Sequence, residues 1–427
     1  MKKLLAITLA MAMLLSMAAV ASAEEKTVVK FWAFPNFATI DDTVGAYEES
    51  LIAAFEAANP DVDVQLEMLD FDAGPAKIAT AVTAQNAPDV IFDAPGRIMT
   101  WAAEGILENL NDMFSDADKA DISQGVQEAS KYKGDYVMYP LGTAPFCMGF
   151  NKTMLEEHGL IDMLPLEGDR TWTLEQYEAL LKALKEKGEA GAVIFCRTQG
   201  GDQGTRAFLA NLYGGAIMND ELSAYTTNDE KFVKALDWTM NAIKEGLLED
   251  GVGFDGTGAI DEFAAGRVSH TILFGTGLYN LRKAQLDEME IEAVLVPYPA
   301  PAGQEQLEFL VSGLCVLKNG DAKVVEAAKR FVKFMCDDPE WAPKNVAQAG
   351  QFSPRASVVA EVEDKEIAYG STMSKFFGKY YNTVPGFAQM RTFWFSALQA
   401  AFSGQKTAQE AMDFFVEEAN KTLTPQQ

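Results

Sequence analysis

Asn59-Pro60-Asp61-Val62-Asp63-Val64-Gln65-Leu66-Glu67-Met68 is the stretch on which the fold turns. Val62, Val64, Leu66 and Met68 alternate with Asp61, Asp63, Gln65 and Glu67, the two-residue period of a strand with one face against a core. Asn59-Pro60 ahead of it ends a helix, because proline cannot continue one and restricts the residue before it. Upstream, Val44, Tyr47, Leu51 and Phe55 recur at spacings of three and four and so share one helical face, and Val28-Val29-Lys30-Phe31 begins an earlier strand. Downstream, a helix is expected near residues 76–85, broken at Asn86-Ala87-Pro88 before the apolar strand Asp89-Val90-Ile91-Phe92. Strand, helix, strand, helix, strand is the pattern of a parallel sheet covered by helices, an α/β fold.

Ligands of such sheets collect beyond the carboxyl ends of the strands. Three loops become candidates: Trp32-Ala33-Phe34-Pro35-Asn36, Leu69-Asp70-Phe71 and Asp93-Ala94-Pro95-Gly96-Arg97. Two aromatics followed by Pro35 and Asn36 suit a sugar, whose C–H faces stack on rings while its hydroxyls need paired donors and acceptors. The competing reading is that Trp32 plugs the end of the sheet.

At the start, Lys2 and Lys3 precede an apolar run from Leu4 to about Val20 that ends in Ala21-Ser22-Ala23, which reads as a secretory signal cleaved after Ala23. An uncleaved anchor is the alternative, although the run is short for a span. Removal of residues 1–23 would leave 404 residues and move the net charge from −27 to −29. Two domains are expected at that length. The acidic balance and the absence of a basic stripe argue against nucleic acid; an acidic surface fits a cationic ligand such as a polyamine, or simply a solvated shell. The expected product is exported, periplasmic or extracellular, and monomeric.

Cys147, Cys196, Cys315 and Cys336 lie far apart, so one disulfide or four buried thiols are both open. With only His158 and His270, and no cysteine pair at zinc-ribbon spacing, neither a metal site nor a cofactor is expected. No GxSxG, HExxH or catalytic Cys–His pattern is present, so an exported glycosidase working with two carboxylates is a distant alternative to a binding protein.

Ordered motifs then carry a resemblance. Asn59-Pro60-Asp61-Val62-Asp63-Val64, Ala87-Pro88-Asp89-Val90-Ile91, Tyr139-Pro140-Leu141, Gly149-Phe150-Asn151-Lys152, Thr171-Trp172-Thr173 and Phe263-Ala264-Ala265-Gly266-Arg267-Val268 follow in order. Val384-Pro385, Phe393-Trp394 and Ser403-Gly404-Gln405-Lys406-Thr407 with Glu410-Ala411 complete the set. Singly weak and together specific, they resemble the extracellular solute-binding proteins of the maltose-binding type over most of the chain. The resemblance implies a two-lobed α/β periplasmic-binding-protein fold of type II, hinged by three chain crossings near Thr143, Val296-Pro297 and Met335–Trp341. It assigns residues 24–142 and 297–336 to an N-terminal lobe, and 143–296 and 337–427 to a C-terminal lobe. It implies capture of a sugar or short oligosaccharide between the lobes and delivery to the permease of an ABC importer; a polyamine or a glycerol-phosphate-type polyol is the alternative ligand.

Carried over residue by residue, the resemblance places Trp32, Phe34 and Asn36 on the first ligand loop and Asp93 and Arg97 on the third. Asp93 stands where the maltose-binding member has a tryptophan. Either Asp93 and Arg97 serve the ligand, or they pair with each other. Asp70 and Thr143 join the candidates, as do Asp202, Gln203 and Arg206 in the glycine-rich run Gln199–Arg206. A phosphate cradle there lacks the required glycine spacing. Gly275 and Tyr279 match a segment where the family often has a stacking tryptophan, Phe352 and Arg355 lie in a turn, and Trp394 is the expected stacking ring.

Overall fold

The computed structural model describes residues 26–71, 73–122, 124–358 and 362–423; the expected signal and its cleavage after Ala23 lie outside the described residues. The chain opens with β1 (Thr27–Ala33), the helix Ala46–Ala58, β2 (Val62–Met68), the helix Gly74–Thr83, β3 (Val90–Asp93) and the helix Pro95–Ala103. Pro75 and Pro95 each occupy a first helical turn, where the lost amide hydrogen would be unpaired anyway. β1 pairs in parallel with β2 and β3, which is the sheet read from the alternating stretch. Val44 departs from its expected place: Gly45 adopts φ 87°, the helix starts at Ala46, and Val44 is left exposed outside it.

A short hairpin of β4 (Lys131–Tyr132) and β5 (Asp135–Tyr136) leads into β6 (Tyr139–Pro145) and β7 (Cys147–Asn151). Next come β8 (Val193–Phe195), β9 (Glu249–Gly251), β10 (His270–Phe274), β11 (Ala293–Val296) and β12 (Phe309–Val316). The first sheet runs β2-β1-β3-β12-β6, with β12 antiparallel to both neighbours. β12 returns from the other half of the molecule and enters the sheet in the opposite sense to β1–β3. β10-β7-β11 form an antiparallel sheet and β8 with β9 a parallel pair.

Buried apolar residues fall into two clusters. One runs from Val29 to Leu141 and from Val311 to Ala349. The other runs from Cys147 to Leu307 and from Met373 to Ala419. The chain therefore passes between them at 141–147, 307–311 and 349–373. Tyr298 and Leu307 pack in the second cluster, and Val346 and Ala349 in the first, so the last two passages lie further along the chain than the resemblance placed them.

Two of the motifs have a local physical cause. Gly404 at φ 73° ends one helix, Thr407 caps the next by accepting from the Glu410 amide, and the Glu410 carboxylate accepts from the Thr407 amide. Thr173 and Gln176 make the same reciprocal cap on Leu174–Lys187, beside a buried Trp172 whose Nε1 donates to the Pro297 carbonyl at 2.9 Å. The four cysteines are free buried thiols. His270 is fully enclosed, stacks on Phe150 at 4.6 Å, and has Tyr177 Oη and Ser269 Oγ against its two ring nitrogens. Burial pushes its pKa down to about 3, which keeps the ring neutral. No helix among the described residues is long and apolar enough to cross a membrane.

Glu48 is the misfit of the first lobe. It is 2% exposed, and its Oε1 has no hydrogen-bond partner among the described residues. Burial pushes its carboxyl up to about 7. A carboxyl with a raised folded-state pKa costs stability as pH rises from its unfolded value through the folded one. Glu48→Gln is therefore expected to stabilise the protein by about 1–3 kcal/mol at pH 8 and by nothing at pH 4, read from denaturant unfolding at both pH values.

Candidate ligand-binding cleft

At the carboxyl end of β1, Phe34 is fully buried and stacks on Phe71 at 5.3 Å with the rings 13° apart. Phe71 itself is 48% exposed, so one aromatic ring is seated on another and open to solvent. A Cβ on Gly74 would lie 2.7 Å from the Phe34 ring, which is why the helix behind that ring begins with glycine. The Arg97 guanidinium sits 4.6 Å from the centroid of Phe34 and is held by Asp93, with Nε at 2.5 Å from Oδ2 and Nη2 on Oδ1. Asp93 also accepts from the Ala94 amide at 2.8 Å. Of the two readings open for this pair, mutual pairing is the one seen.

The loop after β8 turns at Gly201 (φ 78°) directly into the helix Asp202–Leu212. Asp202, Gln203 and Arg206 thus stand on a helix rather than on a loose glycine-rich rim. Asp202, 2% exposed, is ion-paired with Arg206 Nη1 at 2.6 Å and accepts hydrogen bonds from Arg391 Nε at 2.9 Å and Nη2 at 2.8 Å. Arg206, 1% exposed, donates onward from Nε to Glu308 at 3.1 Å and to Tyr381 Oη at 2.6 Å. Burial opposes the Arg206 charge, but Asp202 and Glu308 outweigh it and keep the guanidinium ionised; burial also pushes the Glu308 carboxyl up, against the pull of Arg206. The guanidinium carbons of Arg206 and Arg391 lie 5.6 and 5.8 Å from the Phe387 ring centroid.

Phe387 is one place where the two halves meet. A Cβ on Gly96, at the start of the helix after β3, would lie 2.8 Å from the Phe387 ring. In the same segment, Tyr380 packs against the first cluster while Tyr381 belongs to the second. The structure therefore brings Gly96, next to Arg97 in one half, against Phe387 of the other, the ring beside Arg206 and Arg391.

Several expected residues sit elsewhere. Trp394 is completely buried between Phe232 and Phe415, with Nε1 donating to Thr205 Oγ1 at 2.9 Å; it is a core ring of the second cluster, because it falls on the inward face of the helix Phe387–Phe402. Trp32 is 7% exposed on β1 and belongs to the first core, with the Lys77 ammonium over its ring. Arg355 is buried, paired with Asp337 at 3.0 Å and donating to the Pro140 carbonyl at 2.8 Å, so it anchors a turn to the first half. Tyr279 is nearly enclosed and its hydroxyl donates to Asp364 at 2.9 Å.

The remaining candidates are nearer the surface or made of backbone. Asn36 and Gln203 are partly exposed, and Asp70 is exposed and accepts from the Ala73 amide at 2.9 Å. Thr143 and Phe352 exchange two backbone hydrogen bonds of 2.8 Å at the first chain passage. Gly275, at φ 134°, lets β10 approach the Pro145 carbonyl, which a Cβ would overlap. Residue reasoning missed Arg391, Glu308, Tyr381 and Phe387. Arg391 had a readable signal: it is the one charged residue in the 16-residue helix Phe387–Phe402.

The chain matches the family model of bacterial extracellular solute-binding proteins over residues 50–373. Among solved structures, an ABC transporter solute-binding protein of Thermotoga lettingae bound to α-D-tagatose superposes with a TM-score of 0.79 at 19% identity, over 93% of this chain and 100% of that one. An ABC substrate-binding protein of Listeria monocytogenes in complex with cycloalternan gives 0.76 at 19% identity, over 93% and 99%. The sn-glycerol-3-phosphate-binding periplasmic protein of Shigella dysenteriae is 24% identical over 97% of this chain and 96% of its own length. At these identities the solved structures speak for the fold, a two-lobed α/β architecture, in agreement with the two buried clusters. With more than half of its length matched by the family model, the chain belongs to the bacterial extracellular solute-binding proteins.

Proposed function

We propose that this protein captures a neutral polyhydroxylated solute, a sugar or short oligosaccharide, between its lobes and hands it to the permease of an ABC importer. The observation that carries this reading is charge balance. The guanidiniums of Arg97, Arg206 and Arg391 are matched by the carboxylates of Asp93, Asp202 and Glu308, each arginine already in contact with at least one of them. A dianionic phosphate would have to displace a carboxylate, and a polyamine an arginine, at the cost of leaving a buried partner unpaired. A sugar hydroxyl can accept from the partly exposed guanidiniums of Arg97 and Arg391 without breaking either pair. The exposed Phe71 ring, backed by Phe34, offers a stacking face. Asn36, Asp70, Gln203 and Phe352 are the further candidates for rim contacts. The tagatose and cycloalternan complexes of structural neighbours support a sugar.

The second reading, a glycerol-phosphate-type polyol, is favoured by the Shigella relative, an sn-glycerol-3-phosphate-binding protein, and by the three arginines. It requires one of the arginine–carboxylate pairs to open. Neither reading needs bond-making chemistry: the lobes close about the three passages, and a shift from mostly open to mostly closed takes about 5 kcal/mol of differential binding. Export to the periplasm or extracellular space accords with the family and with the leader read from the sequence.

A thermal-shift screen over neutral mono- and oligosaccharides, sn-glycerol 3-phosphate and spermidine decides among these, since a ligand that binds only the folded state raises the midpoint. At least one neutral sugar is expected to raise it; a rise with glycerol phosphate or spermidine alone would overturn the sugar reading. Phe71→Ala is expected to weaken the Kd of that sugar about tenfold, the loss of a stacking contact worth about 1–1.5 kcal/mol. Asp202→Asn leaves two buried guanidiniums short of countercharge and is expected to destabilise the protein by about 2–5 kcal/mol in urea unfolding, whereas a surface carboxylate would cost under about 0.5 kcal/mol.

A further inference from the structure

The carbonyl of Gln348 accepts two hydrogen bonds, one from each half of the molecule. The Ala38 amide donates to it at 3.1 Å from the loop that carries Phe34 and Asn36, and Asn280 Nδ2 donates to it at 2.7 Å from the helix Thr276–Glu288. Gln348 Nε2 donates back to the Ala38 carbonyl at 2.9 Å, so the aromatic loop is tied to Gln348 by a reciprocal pair. Val346 and Ala349, on either side of Gln348, belong to the first buried cluster, whereas Tyr279 and Leu286 of the Asn280 helix belong to the second. The Asn280–Gln348 bond therefore crosses between the lobes.

The two backbones around that bond touch without slack. Gly350, at φ 60°, has no room for a Cβ: one would lie 2.5 Å from the Thr276 carbonyl oxygen and 3.0 Å from Gly277 Cα. On the facing helix, a Cβ on Gly277 would lie 3.3 Å from the Ala349 carbonyl oxygen. Glycine on both sides lets main chain meet main chain, so the two segments can come no nearer at this contact. The contact lies two residues from the Phe352–Thr143 backbone pair, at one of the passages about which the lobes would turn.

We propose that Gly277 and Gly350 form the stop that ends lobe closure, and that Asn280 is the latch that holds the closed state through the Gln348 carbonyl. Through Ala38, the same carbonyl couples closure to the position of the aromatic loop that faces the cleft. Asn280 is a positioning residue, acting on the ligand only through the balance of open and closed forms. This rests on the reading that the lobes open and close, and not on the identity of the solute.

The test is the distribution of interlobe distances, read by fluorescence transfer between dyes on one exposed residue of each lobe and by small-angle scattering, first without any added solute. Asn280→Ala removes the donor, and Asn280→Asp turns a carboxylate oxygen toward the Gln348 carbonyl. Both are expected to lower the minor closed fraction of the unliganded protein several-fold, with Tm shifted by no more than about 2 °C. The neutral sugar that raises the wild-type midpoint should bind about 3–10-fold more weakly to Asn280→Ala, the loss of one hydrogen bond. Gly277→Val keeps Asn280 but fills the stop, and is expected to open the lobes independently. Unliganded distributions identical to wild type in both Asn280→Ala and Gly277→Val would overturn the proposal. Because these distributions need no ligand, failure of every sugar in the thermal screen would count against the proposed solute and leave this result to be read by itself.

Discussion

The Asp202 carboxylate, buried between two arginines, is the contact on which the rest of the cleft depends. Arg206 comes from its own helix and Arg391 from a helix 189 residues further along the chain, and Arg206 then reaches Glu308 at the entrance to the strand that returns to the first lobe. Buried charges are tolerated only when paired and hydrogen-bonded. The network therefore dictates where the helix Phe387–Phe402, the second chain passage and Tyr381 sit relative to one another. Phe387 is positioned by the same two guanidiniums and is the ring that meets Gly96 of the opposite lobe.

In the proposed cleft, that arrangement divides the work between the lobes. The first lobe supplies an aromatic face, Phe71 on Phe34, and a self-contained Asp93–Arg97 pair at the ends of its parallel strands. The second supplies a charge-balanced wall. A site with its ions already matched gains little from a charged ligand and keeps its oriented donors and acceptors for hydroxyl groups. Glycines mark two close approaches between the lobes: Gly96 against Phe387, and Gly350 against Gly277.

The fold was readable because its signals are periodic. The alternation Val62 to Met68, the break at Asn59-Pro60 and the apolar strand at Val90 lie in contiguous sequence, and the structure places parallel strands there. The cleft was readable only in part. Asp93 and Arg97 stand four apart on adjoining elements, so their meeting could be foreseen. Asp202 and Arg391 are brought together by packing of distant helices, which no spacing encodes. Trp394 shows the limit of carrying a role across by motif: its flanking residues match the resemblance, yet the helix rotates the ring into the core against Phe232 and Phe415 and turns Arg391 toward Asp202 instead. Val44 illustrates the local version, where one left-handed glycine ended a helical period that the apolar spacing alone would have extended.

Whether a neutral solute is held by a charge-balanced cleft is decided by calorimetric titration of the best-binding sugar at low and high salt. Between about 50 and 500 mM sodium chloride, where exposed charge interactions are progressively screened, the Kd is expected to stay unchanged within about twofold. A Kd that weakens tenfold or more over that range would mean that uncompensated charge carries the binding, and would contradict a charge-balanced cleft.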